Sequence, residues 1–211
     1  MLKALILTFA LAIAGCTMIR QPSAMIPQLT SDWRSVATAD DRVRLRDWRP
    51  AFVGAITAAR AAGHGGDIAR EGALLNPDAA LPGPPIPDGD YRCRIIKLGA
   101  KSQGLLDYVA YPAFTCRIDT RTGAQGERRH FTKMTGSQRA MGIIFPDSAM
   151  RQIVLGTMVL GDEQRAMAYG VDESRDVAGM IERIGPSRWR LVMPRPHFES
   201  QIDVMELVPV Q

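Results

Sequence analysis

Two periodicities divide the chain. Between residues 31 and 81, apolar side chains recur every three or four positions. Leu45, Trp48, Phe52, Ile56 and Ala59 form one stripe, the pattern of an amphipathic helix. Thr38, followed by Ala39, Asp40 and Asp41, reads as a helix start: a capping hydroxyl, then acids favoured by the helix dipole. Gly63 reads as the stop. Pro50 lies inside the stripe, where a proline costs about 3 kcal/mol and kinks the helix. The helix therefore either bends there or a second one begins nearby. After the Gly63-His64-Gly65-Gly66 turn, a shorter helical segment is expected over about 67–75.

Residues 82–89, Pro82-Gly83-Pro84-Pro85-Ile86-Pro87-Asp88-Gly89, admit no regular structure and mark a linker. Beyond them the apolar spacing drops to every second residue. Phe114, Cys116 and Ile118 share one strand face; Met141, Ile143 and Phe145 alternate in the same way. Trp189, Leu191 and Met193 alternate with Arg188 and Arg190, which places the arginines on the solvent side. Eight strands are expected, at about 90–98, 109–118, 128–135, 138–145, 152–160, 177–184, 188–194 and 201–208. Short links such as Gly185-Pro186-Ser187 imply antiparallel hairpins. Eight strands in a meander most simply close on themselves, which removes exposed edges. The predicted class is α+β and mainly β: an N-terminal helical segment, then an antiparallel eight-stranded small β-barrel over 90–211. The helices would pack outside it or plug one end. A two-sheet β-sandwich is the alternative.

The first fifteen residues, one lysine and then an apolar run, read as a signal peptide too short to span a bilayer. Ile13-Ala14-Gly15-Cys16 resembles the bacterial lipobox, which implies diacylglyceryl attachment at Cys16 and an acyl anchor in the membrane. Thr17 in place of an aspartate resembles the sorting signal for the outer membrane, with the domain on its periplasmic face. Residues 16–30 then read as a flexible tether. In such an oxidising compartment the two remaining cysteines, Cys93 and Cys116, are expected to bridge.

Composition narrows the chemistry more than it defines it. With 46% hydrophobic and 23% charged residues the chain is ordinary globular protein. Lysine occurs only at positions 3, 97, 101 and 133, so 22 of the 26 cations are arginine. Asp40, Asp41 and Asp47 intersperse Arg42, Arg44, Arg46 and Arg49, which argues against nucleic acid as a partner. Nucleotide-binding loops, a GxSxG elbow, CxxC and HExxH are all absent from the sequence. No cofactor and no metal is therefore expected.

Four constellations remain. Asp32-Trp33-Arg34 and Asp47-Trp48-Arg49 repeat a triplet suited either to stacking on a ligand or to docking a helix on a sheet. Arg128, Arg129 and His130, with Lys133 and Arg139, form a basic patch on neighbouring strands. His197 and Glu199 share a stiff loop and are the least implausible acid–base pair. Met141, Met158, Met180, Met193 and Met205 suit either core packing or an adaptable cavity.

The segments DWRSVATADDRVRLRDWR, GDYRCRIIKLG, TGSQRAMGIIFPD and DVAGMIERIGPSRWRLVMPRPHFESQIDVMELVP resemble the alphaproteobacterial lipoprotein family with the domain of unknown function numbered 4893. The resemblance covers about residues 31–209. It implies an envelope-associated domain and assigns no catalytic residue. Together these readings point to a non-enzymatic outer-membrane lipoprotein binding a small amphiphile or an envelope component. The alternatives are an inhibitor or accessory protein of an envelope partner, and a hydrolase using His197 and Glu199.

Overall fold

The computed structural model describes residues 31–123 and 126–210. The signal peptide, the lipid-attachment residue Cys16 and the tether expected over 16–30 lie outside the described residues. Four helices precede eight strands. Helices α1 (Trp33–Val36), α2 (Ala39–Arg46), α3 (Trp48–Ala59) and α4 (Gly65–Glu71) lead through a 3-10 turn, Gly72–Leu75, towards the sheet. Thr38 caps α2 as its sequence predicts, its hydroxyl accepting from the Asp41 amide at 3.2 Å. Pro50 resolves itself simply: α3 begins at Trp48, so the proline sits in a first turn, where an amide has no intrahelical acceptor to lose. Gly63, at φ 93°, turns the chain between α3 and α4.

The strands are β1 (Gly89–Ala100), β2 (Tyr108–Gly123), β3 (Gly126–Lys133), β4 (Gln138–Pro146), β5 (Arg151–Leu160), β6 (Asp176–Gly185), β7 (Arg188–Pro194) and β8 (Ser200–Pro209). Each pairs antiparallel with the next, and β8 pairs with β1, closing the barrel in strict sequence order. Cys93 stands opposite Phe114 and Cys116 opposite Tyr91. The cysteines are thus diagonal neighbours, and they are joined in a disulfide with Cα atoms 5.9 Å apart.

The barrel wall has two buried sides. Tyr91, Cys93, Cys116, Ile118, Phe131, Val154, Ile181, Trp189, Leu191, Met205 and Leu207 belong to one interior cluster. Trp189 meets Tyr91 edge-on, with ring centroids 6.4 Å apart. Outside, Ile96, Leu98, Phe145, Ile153, Leu155, Met180, Val192, Ile202 and Val204 pack against Phe52, Ala55, Ile56 and Ala59 of α3 and their helical neighbours. The helices therefore lie on the outer surface of the barrel. At β4 the alternating set divides the opposite way from a simple core pattern: Phe145 faces the helices, and Ala140 and Ile144 fill the interior.

That second buried side overturns one expectation. Arg190 does not face solvent; its exposure is 0%. Its Nε and Nη2 donate to Glu182 Oε2 at 2.9 and 2.7 Å. Its remaining donors reach the carbonyls of Ala73, Leu74, Asn76 and Pro77 at 2.6–3.2 Å. A guanidinium has the five forked donors this requires, and a lysine has not. Arg190 thus ties the end of the helical layer to the sheet.

The proline-rich segment crosses one end of the barrel. Leu81 bridges to Arg183, Ile86 joins the interior cluster, and the Tyr91 hydroxyl donates to the Pro87 carbonyl at 2.6 Å.

Candidate functional site

With the interior occupied by side chains, a roomy concave feature lies outside the barrel. It is a cleft of about 590 Å³ between α1, α2 and the start of α3 on one side and β5–β6 on the other. The repeated Asp-Trp-Arg triplets build it. Each opens a helix: Asp32 caps α1, its carboxylate accepting from the Arg34 amide at 3.0 Å, and Asp47 precedes α3. The following tryptophans, Trp33 and Trp48, are each 8% exposed and stand on either side of α2. Helical spacing brings Ala39, Arg42, Val43 and Arg46 of α2 to the same opening. Leu45, Ile153 and Met180 add apolar lining.

Polar contacts fix the aromatic walls. Trp33 Nε1 donates to Asp147 Oδ1 at 2.8 Å, and Arg34 reaches the same carboxylate at 3.3 Å. The Arg34 guanidinium lies 4.3 Å from the Trp33 ring centroid, and that of Arg151 lies 4.3 Å from the Trp48 ring. Arg151 also donates to Glu182 Oε1 at 2.6 Å, which joins the cleft to the buried Arg190 pair. Arg46 holds both oxygens of Asp47 and, through that hydrogen bond, keeps its carboxyl below the usual range. Arg42 differs from the rest: among the described residues it donates only to carbonyls, those of Arg34 and Ala37. Among the described lining residues, four guanidiniums stand against one carboxylate, that of Asp147. The triplets therefore dock helices on the sheet and also wall a cationic, apolar-floored opening. Arg49, the other triplet arginine, turns away to Asp78 at 2.8 Å.

The remaining candidates separate. His197 Nε2 lies 3.5 Å from Arg44, whereas Glu199 faces Lys97 at 3.3 Å. Lys97 also pairs with Asp203 at 3.0 Å inside the barrel end, where Ser200 donates its hydroxyl to the other Asp203 oxygen. Burial raises the Asp203 carboxyl. Arg195 and Glu199 hold positive φ values of 45° and 55°, so the loop carrying His197 is backbone-strained.

The basic patch is not one surface. Lys133 is buried, donating to the carbonyls of Thr135 and Gln138 at 2.8 and 2.7 Å, 3.8 Å from the Phe114 ring centroid. Burial, with help from Arg139 and Lys97, pushes its ammonium down to about 8. Arg129 binds Asp88, and Arg139 reaches the carbonyls of Gly136, Gly161 and Glu163. Met193 lies in the interior, with Met205 beside it; Met180 lies under the helices.

Sequence reasoning found the two tryptophans but missed Asp147, Arg151 and Arg42 as their neighbours. Pro146-Asp147-Ser148 carries only a turn signal. Arg151 merely opens a strand, so nothing local marks either residue.

A family model described as a domain of unknown function, DUF4893, matches residues 33–207, from the first tryptophan of the cleft to the last strand. No curated protein and no solved structure matches the chain.

Proposed function

The chain belongs to the DUF4893 family, and from that premise we propose a non-enzymatic binding module, lipid-anchored through Cys16 to the periplasmic face of the outer membrane, that takes a small amphiphile. The observation carrying this reading is the contrast between a filled barrel and an open cleft. The barrel is a scaffold whose interior is occupied by Phe131, Trp189, Leu191 and Met205. The cleft combines an apolar floor with an arginine rim, the two chemistries an anionic amphiphile needs. A hydrolase has less support, because His197 and Glu199 each face a cation and not each other.

An anionic amphiphilic dye such as anilinonaphthalene sulfonate tests the cleft. It is expected to bind the native protein saturably, quench tryptophan emission and be lost from Trp48→Ala with the fold retained. Absence of saturable binding by the native protein would remove the binding reading. For the anchor, Cys16→Ser is expected to leave an uncleaved precursor without acylation. A variant that still carries a lipid label would refute attachment at Cys16.

A further inference from the structure

We infer that the cleft between Trp33 and Trp48 takes the phosphate headgroup of an anionic phospholipid from the membrane to which the chain is tethered. This rests on the proposed binding function and names its ligand class. Three observations lead to it.

The first is charge. Arg34, Arg42, Arg46 and Arg151 meet one lining carboxylate, Asp147. Arg46 and Arg151 have acids of their own in Asp47 and Glu182. Among the described residues Arg42 donates only to carbonyls, so no described carboxylate offsets its charge. Arg34 shares Asp147 with the Trp33 indole through a single 3.3 Å contact, and its side chain is 61% exposed. Among the described lining arginines these two have no carboxylate to themselves, and a phosphate matches their planar forked donors.

The second is what lies below that rim. Leu45, Trp48, Ile153 and Met180 line the floor, and Val43 of the same lining stands 38% exposed on α2. A free inorganic phosphate makes no use of an apolar floor of this kind. The glycerol and first methylenes of a lipid do, and indoles favour the interface where such groups meet water.

The third is how close in sequence the cleft lies to the proposed anchor. Trp33 and Arg34, both soon after residue 30 in the chain, line the cleft. From Cys16 to Ser31 there are fifteen residue steps, which fully extended span at most roughly 50 Å. The cleft opens beside the point at which the anchored segment enters the fold. An acyl chain on Cys16 therefore confines it near the bilayer and raises the effective concentration of headgroups.

The test uses the mature chain carrying Cys16→Ser, so that no acyl group contributes. It is sedimented with phosphatidylcholine vesicles, with and without phosphatidylglycerol, while tryptophan emission is followed. Binding is expected only with phosphatidylglycerol, with a shift in emission. Combined Arg34→Gln and Arg42→Gln should weaken it by roughly twenty-five-fold, since each arginine near an anionic surface contributes about fivefold. Arg128→Gln, on β3 and outside the cleft, should leave it unchanged. Circular dichroism and melting of each variant confirm the fold. Equal losses in the cleft and Arg128 variants, or none in the cleft pair, would reduce the effect to general surface charge and overturn the proposal. Saturation by soluble glycerol phosphate as tight as by vesicles would overturn the membrane source. Failure with every vesicle while the dye still binds sinks this inference alone; failure of both removes the binding function too.

Discussion

Arg190 is a residue whose role inverts the pattern that surrounds it. Alternation with Trp189 and Leu191 describes a wall with one dry side, but here both sides are dry. Its guanidinium faces Glu182 and four carbonyls beneath the helices. Removing one partner of a buried pair leaves the other charged and unsatisfied, at a cost of about 3–5 kcal/mol. Arg190→Ala is therefore expected to lose that much in urea melts. Arg49→Ala, whose partner Asp78 is exposed, should lose less than about 1 kcal/mol. Equal losses would refute the anchoring role. Lys133 makes a second case, in which burial without a carboxylate has a pH signature. Its folded ammonium titrates at about 8 against an ordinary 10.5. Between those values the unfolded chain holds a proton that the folded chain does not, so this residue's contribution to stability rises with pH across that window. Tyr91 and Tyr108, pushed up to about 12 by burial, act in the opposite sense above pH 10. The difference between wild type and Lys133→Met isolates the lysine: wild type should gain on the variant from pH 8 to 10.5. A flat difference would contradict the assignment.

At the scale of elements, the strands were legible because a barrel repeats one simple alternation, and because Gly and Pro punctuate it. All eight expected strands are present, with ends within a few residues for most. The main departure is the β2–β3 hairpin, which runs to Gly123 and from Gly126. Thr120, Arg121 and Thr122 extend it with side chains that face water, so no apolar alternation announces them. The closure of β1 on β8 was legible only as the simplest way to remove edges. The β4 and β5 backbones approach closely at Gly142 and Gly156, which pair across the two strands. A β-carbon at Gly142 would lie 2.5 Å from the Leu155 carbonyl oxygen, and one at Gly156 would collide with the carbonyl of Met141. Glycine is required where two backbones come this close. The Cys93–Cys116 bridge joins β1 to β2 across a separation of 23 residues. A loop of that length stabilises by roughly 3 kcal/mol through the unfolded state. Replacing both cysteines with alanine should lower stability by about that amount without unfolding the barrel, as read in urea melts beside the native far-ultraviolet spectrum. No loss would show that the closed hairpin already restricts the unfolded chain.

For the whole molecule, the question is whether the helical layer decorates a finished barrel or completes it. The outer faces of β5–β8 and β1 carry Leu155, Met180, Val192, Ile202, Val204, Ile96 and Leu98, all buried beneath helices. Uncovered, they would form a contiguous apolar patch larger than a soluble monomer ordinarily exposes. Arg190 would also lose its carbonyl acceptors. The cleft makes the same point for binding: Trp33, Arg42 and Trp48 come from the helices, and Asp147, Arg151 and Ile153 come from the sheet side. Neither layer alone contains it. The chain from residue 31 onward is therefore expected to unfold in one transition, with calorimetric and van't Hoff enthalpies equal. A chain beginning at residue 82, retaining every strand, should aggregate or bind hydrophobic dye without saturation. If that fragment instead remains monomeric with native strand content and melts cooperatively, the barrel is self-sufficient and the helices serve the cleft alone. Trp189 gives the decisive optical reading, because it is the only tryptophan left in the fragment and lies against Tyr91 in the interior. Its emission should be that of a buried indole in the long chain and of an exposed one in the fragment.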